Sequence, residues 1–206
     1  MSAPFTEQLR QIGLQIGTNG LPYRLPIHPN LVHLTLGLFI IAILFDIAGT
    51  FFALDKPVLK FLALPTLRSG LYDVGWYNLV AAAGITFLTV AAGVFEILLA
   101  DPLPNQTSAW GLGAGSTMLL HGVGGVILLA VMVGMTVWRG RQRYRSRQQI
   151  KRQVQWSYLA LGIAMLAALY AHGTLGAHLG NDFGVHNTAA LLLQEGQNPN
   201  TVLKLQ

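Results

Sequence analysis

The chain has 206 residues, of which 52% are hydrophobic and only 10% are charged, and its mean hydropathy is +0.49. This composition excludes an ordinary soluble globular domain and is typical of a membrane protein. The chain contains no cysteine, which excludes disulfides, thiolate-bound iron–sulfur clusters and thioether-attached heme within it. Most of the positive charge lies in one short segment, which favours orientation in a membrane over binding to nucleic acid.

The first 30 residues predict a short interfacial helix. Apolar side chains recur at helical spacing and are followed by the stop signal Thr18-Asn19-Gly20; these side chains are Phe5, Leu9, Ile12 and Ile16. A disordered tail with chance periodicity is the alternative. The absence of a compact apolar stretch before the first span argues against a cleavable signal peptide.

Four apolar runs follow, at residues 31–52, 77–100, 117–138 and 156–179. Each is about 22–24 residues long, which is enough to cross a hydrocarbon core of about 30 Å. Pro29 is well placed for a first helical turn, and Gly180 closes the last run. The sequence therefore predicts an all-α, four-helix transmembrane bundle at residues 31–179, followed by a C-terminal tail at residues 180–206.

The distribution of lysine and arginine predicts the direction of the helices. Residues 53–76 and 139–155 together carry ten basic residues, whereas the termini supply three and residues 101–116 none. Cytoplasmic loops carry the excess of positive charge. We therefore expect the first and third loops in the cytoplasm. Both termini and the tail then lie on the periplasmic or lumenal side of a bacterial plasma membrane or a thylakoid.

In this topology the histidines gather near the outer face. His33 and His121 lie in the first turns of the inward-running first and third helices, and His172 and His178 lie in the last turns of the fourth. Ionisable residues within membrane helices are often functional. The pattern predicts a metal site formed by His33, His121, His172 and His178.

A glycine follows three of these histidines at the i+4 position, where it shares the same helix face. The pairs are His33 and Gly37, His121 and Gly125, and His172 and Gly176. An imidazole beside bare backbone suits a flat macrocycle bound between helices. The alternative is that the glycines only allow the helices to pack closely.

The donor types narrow the choice of metal. Neutral imidazoles without thiolates suit heme iron, copper or zinc. A membrane di-iron site would bring Glu-x-x-His pairs, and the sequence has none. We expect Glu96 to snorkel to the interface, with roles as a ligand or as a partner of a histidine as alternatives. We expect Asp46 to pair with Arg139 or Arg68. Heme, without cysteine attachment, would be b-type.

Several motifs resemble a known membrane family, domain of unknown function 2231. The segment from His28-Pro29 to Val32-His33, with the apolar run reaching Asp46, is similar to that family's opening His-Pro-x-x-Val-His. Residues 93–102 resemble its Gly-x-x-Asp segment, His121 matches a family histidine, and residues 173–185 resemble its glycine-rich close. The resemblance covers about residues 25–186.

This resemblance implies a four-helix membrane protein in a redox setting, with heme binding, since some such proteins are fused to Rieske or cytochrome c modules. The chain departs from the pattern in its second helix, which has Glu96 and a more distant Asp101 where the family has one clear aspartate. His172 and His178 are additional to the family pattern. The chain carries no fused redox module, so an electron partner would be a separate membrane or periplasmic/lumenal protein.

The leading hypothesis is a b-type cytochrome-like electron-transfer protein in the lipid bilayer, without catalytic residues of its own. We expect His33 and His121 to form the first ligand pair, with His172 and His178 serving a second heme or the alternative pairing, and His28 at the rim. The main alternative is a structural or pigment-binding subunit of a larger respiratory or photosynthetic complex. In that case single imidazoles could ligate chlorophyll magnesium. A transporter ranks third, since no internal repeat is evident.

Overall fold

A computed structural model describes residues 27–63, 67–99, 107–146 and 154–183, together with residue 196. These residues form helices α1 (Ile27–Thr50), α2 (Phe52–Phe61), α3 (Arg68–Leu99), α4 (Ala114–Ser146) and α5 (Trp156–Asn181). Four of the helices are long and apolar enough to span a membrane, namely Ile27–Thr50, Arg68–Ile97, Ala114–Arg145 and Trp156–Asn181. The predicted all-α class with four spanning helices is confirmed.

Two predicted segments fall largely outside the described residues. The N-terminal interfacial helix was expected within residues 1–30, of which only 27–30 are described. Most of the predicted tail at residues 180–206 also lies outside them. The division into an N-terminal segment, a helical domain and a tail therefore stays a prediction.

The helices extend beyond the apolar runs that predicted them. Helix α3 begins at Arg68, before the apolar run at residue 77, and α4 continues to Ser146. The assignment of residues 139–155 to a loop is therefore wrong for the first part, since Arg139, Arg141, Arg143 and Arg145 are helical. Hydropathy marks only the stretch that crosses hydrocarbon, whereas arginine is a good helix former and lets the helix continue.

The chain divides into two compact units. We call Met1–Asn30, Thr89–Val126 and Ala171–Gln206 the histidine unit, and Leu31–Leu88 and Ile127–Tyr170 the ion-pair unit. Helices α1, α3, α4 and α5 each contribute residues to both units.

The core of the ion-pair unit is built from positions three and four residues apart on the four long helices. Such spacing places side chains on one helix face and is typical of bundle packing. The buried side chains include Phe39, Ala42 and Ile43 of α1, Leu79, Ala82 and Ala83 of α3, Met132 and Met135 of α4, and Leu159, Met165 and Leu169 of α5.

A buried ion pair completes this core. Arg139 donates two hydrogen bonds to the Asp46 carboxylate, from Nε at 3.0 Å and from a terminal nitrogen at 2.8 Å. The rings of Tyr72 and Tyr158 lie 5.4 and 5.9 Å from the guanidinium carbon. The predicted pairing of Asp46 with Arg139 is confirmed. The alternative partner, Arg68, instead donates to the Gly49 carbonyl at 2.8 Å, near the end of α1.

Candidate functional site

Three imidazoles from three helices meet in the histidine unit. The rings of His121 on α4 and His172 on α5 are stacked, with centroids 4.2 Å apart and planes 6° from parallel. His28 of α1 meets His121 edge-on, with centroids 6.1 Å apart and an interplanar angle of 89°. The structure therefore gathers His28, His121 and His172 into one group, which we call the imidazole cluster.

A backbone hydrogen bond orients His28. Its Nδ1 lies 2.9 Å from the carbonyl oxygen of Thr89 on α3. A carbonyl can only accept, so Nδ1 carries the proton and donates it; in the neutral ring the lone pair then lies on Nε2. Ligand histidines are commonly held in this way, with the second ring nitrogen donating to a carbonyl or carboxylate.

Glycines provide the space for the three rings. A Cβ atom added at Gly176 on α5 would lie 2.9 Å from Cε1 of His121, and one added at Gly124 on α4 would lie 2.9 Å from Nδ1 of His172. A Cβ atom at Gly93 on α3 would lie 2.8 Å from Cε1 of His28. Each ring thus packs on a glycine of a neighbouring helix, at distances that real Cβ contacts do not reach.

The predicted His-x-x-x-Gly motifs are therefore interlocked across α4 and α5. His121 packs on Gly176, which is the i+4 partner of His172. His172 in turn packs on Gly124 and on Gly125, which is the i+4 partner of His121. The glycine faces accept imidazoles from the opposite helix. Gly37, by contrast, has open space where a side chain would begin.

The two histidines of α1, His28 and His33, do not lie where the sequence predicted them. His33 belongs to the ion-pair unit and its side chain is exposed. His28, expected at the rim, lies directly against His121. His33 as a ligand stays a prediction, and His28 becomes the α1 histidine that the geometry favours.

His178 forms a separate polar contact within the histidine unit. Its Nδ1 lies 2.6 Å from Oδ2 of Asp182, one turn further along the chain. The ring of Trp110 meets it edge-on at a centroid distance of 5.2 Å, and the Ala109 amide donates to the same carboxylate oxygen at 3.3 Å. His178 thus joins residues 109–110 to the end of α5 through Asp182.

Glu96 lies beside the imidazole cluster. It is only 2% exposed, and its carboxylate faces the backbone N–H of His28 at the beginning of α1. The expectation that Glu96 snorkels to the interface is therefore not met. The first N–H groups of a helix carry partial positive charge, which favours an acceptor oxygen at this position. The sequence signal was the Gly93–Glu96 spacing, which puts both residues on one face of α3.

The ring separations indicate which imidazoles of the cluster could share one metal atom. Among the described residues, no group of three or more His, Cys, Asp or Glu side chains is arranged to hold a metal ion. Two imidazoles that shared one metal atom would have ring centres about 6 Å apart, since each metal–nitrogen bond is about 2 Å long. The 6.1 Å separation of His28 and His121 is compatible with such a pair, whereas the 4.2 Å stack of His121 on His172 is too close.

Comparison with known proteins places most of the chain in one family profile. Residues 24–189 match the profile described as predicted membrane protein (DUF2231). The matched region includes all three members of the imidazole cluster. No curated protein and no solved structure shows significant similarity to the chain.

Proposed function

The chain belongs to the DUF2231 family of predicted membrane proteins, and we propose that it is a b-type cytochrome-like electron carrier whose heme is held by His28 and His121. The observation that carries the proposal is the pre-oriented His28 ring. Thr89 fixes its tautomer so that the Nε2 lone pair is available as a ligand, and its centroid lies 6.1 Å from that of His121. The heme would supply one-electron redox chemistry.

The surrounding residues support this assignment in distinct ways. Glu96 faces the backbone of His28 and helps to hold the beginning of α1, while Gly93 leaves room for the ring itself. His172 stacks on His121 and restricts the rotation of that ring. The pairing of His121 with His172 stays an alternative, but it requires the two stacked rings to separate. A separate membrane or periplasmic/lumenal redox protein would exchange the electron.

The visible spectrum tests the proposal. The protein is purified in mild detergent from heme-supplied cells, and spectra are recorded before and after dithionite reduction. We expect a sharp reduced α-band in the wild type and its loss in His28→Ala and His121→Ala. His178→Ala is the matched control, since His178 lies outside the imidazole cluster, and it should keep the band.

Two further variants resolve the ligand pair. His33→Ala should keep the heme band if the α1 ligand is His28, and should lose it if the sequence-based pairing is right. His172→Ala should keep most of the band, with altered line shape, because a stacked neighbour is removed rather than a ligand. A featureless spectrum in a well-folded, heme-supplied preparation would refute the heme proposal altogether.

A structural or pigment-binding subunit of a larger complex is the second candidate. The interlocking of His121 with Gly176 and of His172 with Gly124 favours it, because helix packing alone then accounts for these residues. Stoichiometric co-purification with a complex, without redox-active absorbance, would support a structural role. Chlorophyll-like bands would instead assign single histidines as magnesium ligands.

The proposal includes an orientation in which residues 139–155 face the cytoplasm and both termini lie on the opposite side. The excess of lysine and arginine supports it. The chain has no cysteine, so single cysteines report topology directly. We expect Arg145→Cys to react with an impermeant maleimide only from the cytoplasmic side, and Ala109→Cys only from the other; the reverse pattern would overturn the orientation.

A further inference from the structure

Helix α2 is a short helix with exposed apolar side chains in its second half. It follows α1 after a single residue and spans Phe52–Phe61. Leu59 is buried, at 7% exposure, but Phe61 is 87% exposed and Val58 and Leu62 are also exposed. Apolar groups of this size are unfavourable in water. This face of α2 therefore needs a covering that the described residues do not supply.

Basic side chains accompany the exposed apolar ones. Lys56 and Lys60 are one helical turn apart and both are exposed, while the helix sequence contains a single acidic residue, Asp55. Lysine places its aliphatic stem along apolar surface and its ammonium group in a polar layer. Apolar side chains beside lysines are typical of helices that lie in a membrane interface.

An aromatic pair marks the depth at which α2 begins. Phe51, immediately before α2, meets Trp156, the first residue of α5, edge-on at a centroid distance of 5.6 Å. Both side chains are exposed. Tryptophan at the end of a spanning helix prefers the headgroup region. We therefore expect α2 to start at the level of that region and not in bulk water.

We propose that α2 is an anionic-phospholipid binding element. In this arrangement Val58, Phe61 and Leu62 enter the boundary between headgroups and acyl chains, and Lys56 and Lys60 bind lipid phosphate groups. We expect the bound lipid to be anionic, because lysines favour anionic over zwitterionic headgroups. The proposal concerns the ion-pair unit and is independent of heme binding.

Fluorescence quenching tests the depth of α2. Phe61→Cys is introduced into the full cysteine-free chain, labelled with a polarity-sensitive fluorophore and reconstituted in vesicles. We expect a blue-shifted emission that lipids carrying a shallow spin label quench strongly and aqueous iodide quenches weakly. Phe87→Cys is the matched control, since Phe87 is an exposed phenylalanine (54%) within a spanning helix, and deep spin labels should quench it best.

The same label measures lipid selectivity. At equal mole fraction, spin-labelled phosphatidylglycerol should quench position 61 more strongly than spin-labelled phosphatidylcholine, with an apparent preference of about fivefold per contributing lysine. Lys56→Gln with Lys60→Gln should bring the preference to unity, and Lys56→Arg with Lys60→Arg should retain it. Position 87 should show no preference.

Three results would overturn the proposal. Strong iodide quenching at position 61 would place α2 in water. Protection from both iodide and lipid-borne quenchers would mean that protein covers the helix. Shallow quenching with equal response to the two lipids, unchanged by the lysine substitutions, would refute the selection of anionic headgroups. Monodisperse elution of every variant establishes that it has folded.

Discussion

Buried polar side chains have different kinds of partner in the two units of this protein. In the ion-pair unit, Asp46 and Arg139 combine opposite charges through two hydrogen bonds and are enclosed by aromatic rings. In the histidine unit, the imidazoles of His121 and His172 stack on each other and rest on glycines. His28 uses one nitrogen on a backbone carbonyl and keeps a lone pair on the other.

The ion pair is satisfied within the protein, whereas an imidazole with an unused lone pair could bind a metal. A bidentate ion pair compensates the charges of both partners and holds the helices in one register. An oriented neutral imidazole keeps a lone pair on its second ring nitrogen, and heme iron would bind such a nitrogen. Substitutions that act differently on the two units therefore test the comparison directly.

The largest effect should come from breaking the ion pair. Asp46→Ala leaves Arg139 as an uncompensated buried charge, and we expect it to lower the free energy of unfolding by about 3–5 kcal/mol. Titration with a denaturing detergent, followed by circular dichroism, measures this loss. The heme band that the proposed function predicts should change little in any variant that still folds, because neither residue belongs to the imidazole cluster.

Two controls test whether the loss of stability in Asp46→Ala comes from an uncompensated buried charge. Replacing both partners, as Asp46→Leu with Arg139→Met, should recover most of the loss, since a well-packed apolar pair avoids the desolvation penalty. Asp73→Asn breaks the pair of Arg143 with Asp73, whose side chain is 34% exposed, and should cost only about 0–1 kcal/mol. Equal losses in Asp46→Ala and Asp73→Asn would contradict the distinction between a fully buried and a partly exposed pair.

An intermediate effect is expected at Gly176. Alanine there places a Cβ atom 2.9 Å from the His121 ring, so the ring must shift. We expect a destabilisation of about 1–3 kcal/mol from overpacking, together with a reduced heme content. Gly173→Ala on the same helix meets open space and serves as the control. It should be neutral or slightly stabilising, because alanine is the better helix former.

The two readouts at Gly176 separate the candidate functions. Loss of heme with loss of stability supports an imidazole cluster that binds the cofactor. Loss of stability in a protein that never carries heme supports a helix-packing role. Equal behaviour of the alanine variants at positions 173 and 176 would show that the interlocking of His121 with Gly176 does not matter.

The smallest effect should follow Asp182→Asn. The carboxylate holds His178 and the Ala109 amide, but its side chain is 29% exposed and the ring of His178 charges only when protonated. We expect a change of about 0–1 kcal/mol in stability. The emission of Trp110, which meets His178 edge-on, should report the local change. A loss as large as that of Asp46→Ala would mean that this contact is essential to the fold.

The four spanning helices and the Asp46–Arg139 pair could be predicted from short stretches of sequence. Long apolar runs mark helices in a membrane, and a lone buried aspartate needs a cation. The helix ends were not predictable from hydropathy, since polar residues such as Arg68 and Arg141 continue the helices. Helix α2 was also missed, because ten residues with two lysines resemble a loop in a hydropathy profile.

The candidate site was predicted only in part. His121 and His172 were expected together, and they are stacked. The choice between His28 and His33 was not open to sequence reasoning. Five residues separate them, which is a rotation of roughly 140° about the helix axis, so they face different neighbours. The partner of His28 is the backbone carbonyl of Thr89, and no side-chain pattern reveals such an acceptor.

The sequence by itself determined that this protein lies in a lipid bilayer, how many helices span it, and that its available ligand atoms are histidine nitrogens. Each of these depends on the hydrophobic length, charge and residue types of a single segment. Only the tertiary structure decided which imidazoles meet and which glycines receive them. Those contacts depend on the rotation and register of each helix against its neighbours, and these are set by packing between segments distant in sequence. His28 against His121, and Gly176 under His121, are the results of that packing.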